Sequence, residues 1–259
     1  MSLIRVNHLA KAFKGSDGQV NQVLQSVSFE VKGPTVIGLL GPNGVGKSVT
    51  MRLLAALDTP DSGSIEIDGE PPINCRVGYV PPTNPVFGWR RTKDDIGIGM
   101  EMVGIPRRER HTHVAALLRR FSIDLPLDQR THALSSGQRQ MVNLARALAG
   151  HVPPPLVILD EPWAALSSAV QEEFIRHLES IRNTMDTVIF LSSHQIDSAI
   201  LACDWILPLR ERPVCITQDD LIPVNLPRPR PTNVQQTVEF LELLKHIESV
   251  FHGSAPLTV

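Results

Sequence analysis

Gly41-Pro42-Asn43-Gly44-Val45-Gly46-Lys47-Ser48 is the stretch on which the reading of the fold turns. It fits the pattern G-x-x-x-x-G-K-[ST], a loop that wraps a phosphate group. Glycines are needed because the backbone must curl until several N–H groups point inward. The Lys47 ammonium is placed to reach the β- and γ-phosphates of a nucleotide, and the Ser48 hydroxyl to ligate its Mg²⁺. Position supports the reading. Thr35-Val36-Ile37-Gly38-Leu39-Leu40, just before the loop, is an apolar run of core-strand length. Residues 47–57 behind it read as a helix, whose N-terminus adds partial positive charge at the phosphate.

Further along, Leu156-Val157-Ile158-Leu159-Asp160-Glu161 is a second apolar strand, ending in adjacent carboxylates. With such a loop upstream, Asp160 is expected near the Mg²⁺, and Glu161 is free to orient or deprotonate an attacking water. Between the two motifs stands Leu134-Ser135-Ser136-Gly137-Gln138, the start of a helix that contains Ala145-Arg146-Ala147-Leu148. A helix N-terminus of this kind is an anion site. His194 closes Leu191-Ser192-Ser193-His194 after a further strand.

The rest of the chain bounds the reading. Its 259 residues, 42% hydrophobic and 20% charged, supply a sizeable core for one large α/β unit or two modest ones. A formal net charge of −2 gives no electrostatic basis for a nucleic-acid partner. Three scattered cysteines, Cys75, Cys203 and Cys215, point to a reducing compartment and to thiols used as small buried hydrophobes. The start, Met1-Ser2-Leu3-Ile4-Arg5-Val6, has no leader character, and no apolar run approaches the roughly 20 residues of a membrane helix. Any membrane link is therefore expected to be peripheral, through a partner.

Val27-Ser28-Phe29-Glu30-Val31 and Ser64-Ile65-Glu66-Ile67 alternate as half-buried strands, and residues 187–191 read as another strand. Val114, Leu117, Leu118 and Phe121 recur at helical spacing, which predicts a small helical insertion; His111 and His113 fall on its charged surface. Strands alternating with helices imply a mostly parallel sheet. We expect a main domain over 1–222, with a helical subdomain at about 83–150, and a Pro/Arg-containing extension with a helix over 223–259. On that last helix Val234, Val238, Leu241 and Leu244 are expected to share the apolar face. Whether it packs on its own domain or on another subunit stays open.

Leu134-Ser135-Ser136-Gly137-Gln138, taken with the loop at 41–48 and the Asp160-Glu161 strand, resembles the LSGGQ signature of ATP-binding cassette (ABC) proteins. The resemblance covers roughly residues 3–250. It implies an α/β fold, a P-loop NTPase of ABC type with a mixed sheet core, an N-terminal antiparallel β subdomain and a small helical subdomain. It implies ATP and Mg²⁺ as ligands, and a homodimer or heterodimer in which Ser135, Ser136, Gly137 and Gln138 face the γ-phosphate held by the second ATP-binding subunit. His194 matches the family's switch histidine, and Phe13 the aromatic that stacks on adenine, with a core phenylalanine as the other reading. Transmembrane permease subunits are the implied partners, on the cytoplasmic side of the membrane. Met102-Val103-Gly104-Ile105-Pro106-Arg107, Arg212-Pro213 and Leu226-Pro227-Arg228-Pro229-Arg230 look most like the ATPases of nitrate/sulfonate/taurine-type importers. Exporter ATPases share most of the other motifs.

Three positions depart from the family pattern. Pro82 follows the strand Val77-Gly78-Tyr79-Val80, where the family carries a glutamine that approaches Mg²⁺ and the attacking water. Ser167 replaces an aspartate that reaches across the dimer. Ser136 replaces the second signature glycine. ATP binding is expected to survive these changes. Hydrolysis is expected to be slowed or partner-dependent, and a degenerate cassette that binds ATP with little hydrolysis is the alternative.

Overall fold

In the computed structural model, which describes residues 1–15, 18–83, 85–164 and 166–252, β1 (Leu3–Lys14) and β2 (Val20–Lys32) bury alternate side chains and pair antiparallel. β3 (Thr35–Leu40) differs, because all six of its residues are buried. That is the pattern of a strand covered on both faces. It runs through the glycine-rich loop into α1 (Lys47–Leu54). β4 (Ser62–Ile67) returns to pair with β1, and β5 (Val77–Val80) is the edge strand of the second sheet, to which β3 also belongs. A helical layer follows, made of α2 (Thr92–Ile96), α3 (Ile98–Met102), α4 (Arg107–Arg120) and α5 (Ser136–Leu148). Then come β6 (Leu156–Leu159), α6 (Ser168–Thr184), β7 (Val188–Ser193), α7 (Ile196–Ala202) and β8 (Trp205–Pro208). β9 (Val214–Ile216) and β10 (Ile222–Pro223) complete the sheets, and α8 (Val238–His252) ends the described chain.

The larger sheet has the order β10-β8-β3-β7-β6-β5 and is parallel except for β10 at its edge. Its pleat divides two cores. Val36 and Leu40 of β3 point into one with Leu159 and Leu191, while Ile37 and Leu39 point into the other with Ile158 and Phe190. The strand ends on the β3, β6 and β7 side therefore stand next to one another, where loops carry the polar residues of the site.

Three sequence expectations are corrected, and one is extended. The N-terminal strands β1, β2 and β4 pair antiparallel as expected, and β9 extends their sheet by joining β2 in parallel. A strand arriving from the far sheet enters along β2 in that direction, which no local pattern announces. On α8 the expected face is wrong: Val238 and Leu241 are 65% and 44% exposed, whereas Phe240 and Ile247 are buried in the first core with Leu243 and Leu244 against it. Val234 is buried, but in a separate 3-10 turn, so it is out of phase with the helix. Burying the larger ring of Phe240 gains more, about 1.5–3 kcal/mol for a side chain of this class.

Of the cysteines only Cys203 is buried; Cys75 is half-buried and Cys215 lies exposed on the outward face of β9. Burial raises the Cys203 thiol well above its ordinary range. Finally, the histidines of α4 are not simply surface residues, because His111 is held by Asp94 at 2.8 Å and the His113 ring meets His151 edge-on.

The Pro/Arg stretch is a clamp on its own domain. Arg228 donates to Asp204 Oδ1 and to the Ala202 carbonyl, both at 2.9 Å, and Arg230 donates to the Cys203 carbonyl at 2.8 Å. Burial lowers the Arg230 guanidinium to about 10.

Candidate functional site

The loop between β3 and α1 is shaped by its glycines. Gly46 sits at φ 136°, where a side chain would be strained, and turns the chain into the first turn of α1. Arg212 donates to the Val45 carbonyl at 3.2 Å and holds the loop from the β9 side. Lys47 is buried, and its ammonium donates to the carbonyls of Gly41 at 2.8 Å and Pro42 at 3.3 Å. It also lies 3.2 Å from Glu161 Oε1, an ion pair out of line for a hydrogen bond, so that this buried oxygen has no hydrogen-bond partner.

Asp160 stands at the end of β6, 1% exposed. Its Oδ1 accepts from Ser192 at 2.6 Å and from Ser48 at 3.2 Å, and Tyr79 donates to Oδ2 at 3.5 Å. Burial, with the Asp160 charge beside it, pushes the Tyr79 phenol up to about 12, so it stays a donor. Glu161 has φ 50°, the left-handed region that non-glycine residues seldom occupy. Its N–H donates to Ser192 at 2.8 Å, which stabilises that conformation. The turn aims its carboxylate at Lys47 on one side and at His194 Nδ1, 3.1 Å away, on the other. Such an outlier at a carboxylate is the kind of local strain that functional sites retain.

Hydrogen bonds and ion pairs thus join Lys47, Ser48, Asp160, Glu161 and His194 into one cluster. The hard oxygens of Ser48 and Asp160, next to a carboxylate oxygen without a hydrogen bond, fit Mg²⁺. Ser192, Tyr79 and Trp163 are members that sequence reasoning passed over. Trp163 is buried and donates from its indole to Ser193 at 3.3 Å, pinning the loop after Glu161 to β7. One signal was available: Ser192-Ser193 puts two hydroxyls at the end of a strand that is otherwise apolar.

Phe13 and residues 135–138 stand outside the cluster. Phe13, near the end of β1, is 41% exposed with the Lys11 ammonium 5.4 Å from its ring centroid, which rules against the core reading. Ser135 caps α5: its hydroxyl accepts from the Gln138 N–H at 3.2 Å, and its own N–H donates to the Gln138 side chain at 3.0 Å. At Gly137 a Cβ would meet a Val170 methyl at 2.7 Å, so a side chain there would have to displace Val170, whereas position 136 is exposed and accepts serine. Asp95, fully buried, receives Arg146 at 2.8 Å and ties α5 to α2. Pro82 and Ser167 are both exposed, and the Ser167 side chain makes no capping bond to α6.

Known proteins resemble the chain in sequence and in fold. The family profile described as ABC transporter matches residues 24–164, just over half of the chain. A taurine import ATP-binding protein of Rhizobium johnstonii is 28% identical over 98% of both chains. An ABC transporter ATP-binding protein of Methanocaldococcus jannaschii is 29% identical, over 95% of this chain and 90% of that one. A nitrate import ATP-binding protein of Synechocystis is 26% identical over 96% and 95%. Among solved structures, a dimeric bacterial ABC transporter cassette superposes with a TM-score of 0.70 over 79% of this chain and 93% of that one, at 21% identity.

Proposed function

The chain belongs to the ABC transporter family, and on that premise we propose that it is the ATP-binding and ATP-hydrolysing subunit that powers an importer of small anionic or organic solutes. The observation that carries the reading is the Lys47–Glu161–His194 chain of contacts set against the Ser48–Asp160 pair. None of the described helices is long and apolar enough to cross a membrane. Permease subunits are the partners that would couple ATP use to transport.

Phosphoryl transfer to water needs positioning and charge stabilisation more than covalent help. Backbone N–H groups at 44–48 and the Lys47 ammonium grip the phosphates. Ser48 and Asp160 would hold Mg²⁺, which when bound neutralises phosphate charge. Lys47 turns from Glu161 towards the nucleotide, and this frees the Glu161 carboxylate to accept a proton from water while His194 keeps it oriented. The exposed turn at 135–138 presents Ser135 and its helix N-terminus to the γ-phosphate of a second cassette, so ATP seals the dimer. The dimeric cassette among the similar structures supports that arrangement.

Pro82 supplies neither a donor nor a side-chain acceptor at the strand end, and Ser167 lacks a carboxylate, so hydrolysis is slow in the isolated protein. The second reading, a cassette that binds ATP without hydrolysing it, rests on the same two residues. Nucleotide titration tests the proposal: Mg²⁺-dependent ATP affinity present in the native chain and lost in Lys47→Ala supports it, and affinity untouched by that change overturns it. Steady-state turnover then separates the readings. Slow hydrolysis that rises in Pro82→Gln and Ser167→Asp favours the enzyme, and none in any of them favours the binding module.

A further inference from the structure

Glu109 and His113 lie four residues apart on α4 and share one face of it. His151, just beyond α5, comes to meet them. Its Nε2 is 3.4 Å from Glu109 Oε1, and its ring stands edge-on to that of His113 with centroids 4.5 Å apart. One ligand atom from each of the three residues lies within 4.8 Å of the others. Two donors held at about 2.1 Å by one tetrahedral ion are about 3.4 Å apart. The Glu109–His151 pair already has that spacing, and closing the triangle needs side-chain shifts of at most about 1.4 Å in total.

We propose that Glu109, His113 and His151 form a binding site for a divalent transition metal of the zinc class, separate from the nucleotide site. Two imidazoles and a carboxylate suit Zn²⁺, whereas Mg²⁺ and Ca²⁺ prefer oxygen donors throughout. Three protein ligands leave a fourth position for water. The ion has a way in: His113 and His151 form part of the wall of an open cleft of about 270 Å³. Position gives the site a consequence. His151 lies on the connector from α5, which begins at the 135–138 turn, to β6, which ends at Asp160 and Glu161. A metal there tethers α4 to that connector and stiffens the path between the two halves of the nucleotide site.

The test uses the full chain, stripped with chelator and free of nucleotide, titrated with Zn²⁺ against a chromophoric competitor. One tightly bound equivalent and a raised melting temperature are expected in the native chain. Affinity weaker by about tenfold or more is expected in His113→Ala and in His151→Ala, each retaining Mg²⁺-ATP affinity as the sign that it is folded. Glu109→Gln, at an exposed carboxylate, gives the same loss should either histidine variant fail to fold. Co²⁺ in place of Zn²⁺ is expected to give d–d bands without thiolate charge transfer. Zinc affinity unchanged by all three substitutions, a thiolate band from Cys75 or Cys215, or zinc displaced by saturating Mg²⁺-ATP would each overturn the proposal.

Discussion

At the strand ends of the larger sheet, side chains from different elements are cross-linked: Ser48 from α1, Ser192 from β7 and Tyr79 from β5 all converge on Asp160. At the start of α5 the polar groups bond to each other instead, Ser135 with Gln138, and face solvent. The first region is finished within the chain. The second has a complete cap but no partner for its outward face among the described residues. On the proposed function each copy would bring one built half-site and one presented half-site, and only the built half should be sensitive to internal packing.

The widest expected gap between the two regions is chemical. Glu161→Gln removes the proton acceptor while sparing the Lys47 and Ser48 contacts to phosphate, so single-turnover hydrolysis falls by about 10²–10⁴-fold with Mg²⁺-ATP affinity retained. Equal turnover in that variant would place the base elsewhere. Trp163→Ala then probes packing behind the built half. Deleting a buried indole that also bonds Ser193 costs about 3–5 kcal/mol in chemical denaturation. On the presented half, Ser135→Ala removes one cap and costs only about 1 kcal/mol of stability, but it weakens ATP-dependent dimerisation in gel filtration. A loss of stability as large as that of Trp163→Ala would erase the contrast.

The smallest effect concerns pH and the helical layer that supports the 135–138 turn. Burial opposes ionisation of Asp94, yet hydrogen bonds from Arg107 and His111 more than offset it and hold its carboxyl below the ordinary range. A carboxylate depressed in the fold contributes stability above its unfolded pKa, and that contribution fades as the pH falls through the folded value. The denaturation midpoint is accordingly expected to drop below about pH 4. Asp94→Asn should flatten that drop.

Much of this was legible in residue order. The loop at 41–48 and the carboxylates at 160–161 announce themselves because phosphate and metal chemistry require particular residue types at fixed spacing. The strands around them are legible because burial on both faces demands apolar runs. Tyr79 and Ser192 were not, since a single hydroxyl in a strand gains its role only from the neighbour that the sheet order supplies. The same holds for α8, where Phe240 and Ile247 compete with Val238 and Leu241 for the buried face, and the surface on which the helix lands selects between them.

Local sequence thus determined the phosphate loop, the strand that bears the carboxylates and the cap at Ser135, all of which depend on contacts between residues near in the chain. Tertiary structure alone decided that Lys47 pairs with Glu161, that β9 joins β2 in parallel, and that His151 meets α4. Those contacts bring together residues distant in sequence, and their geometry follows from how the sheets and helices pack, which no short-range pattern encodes.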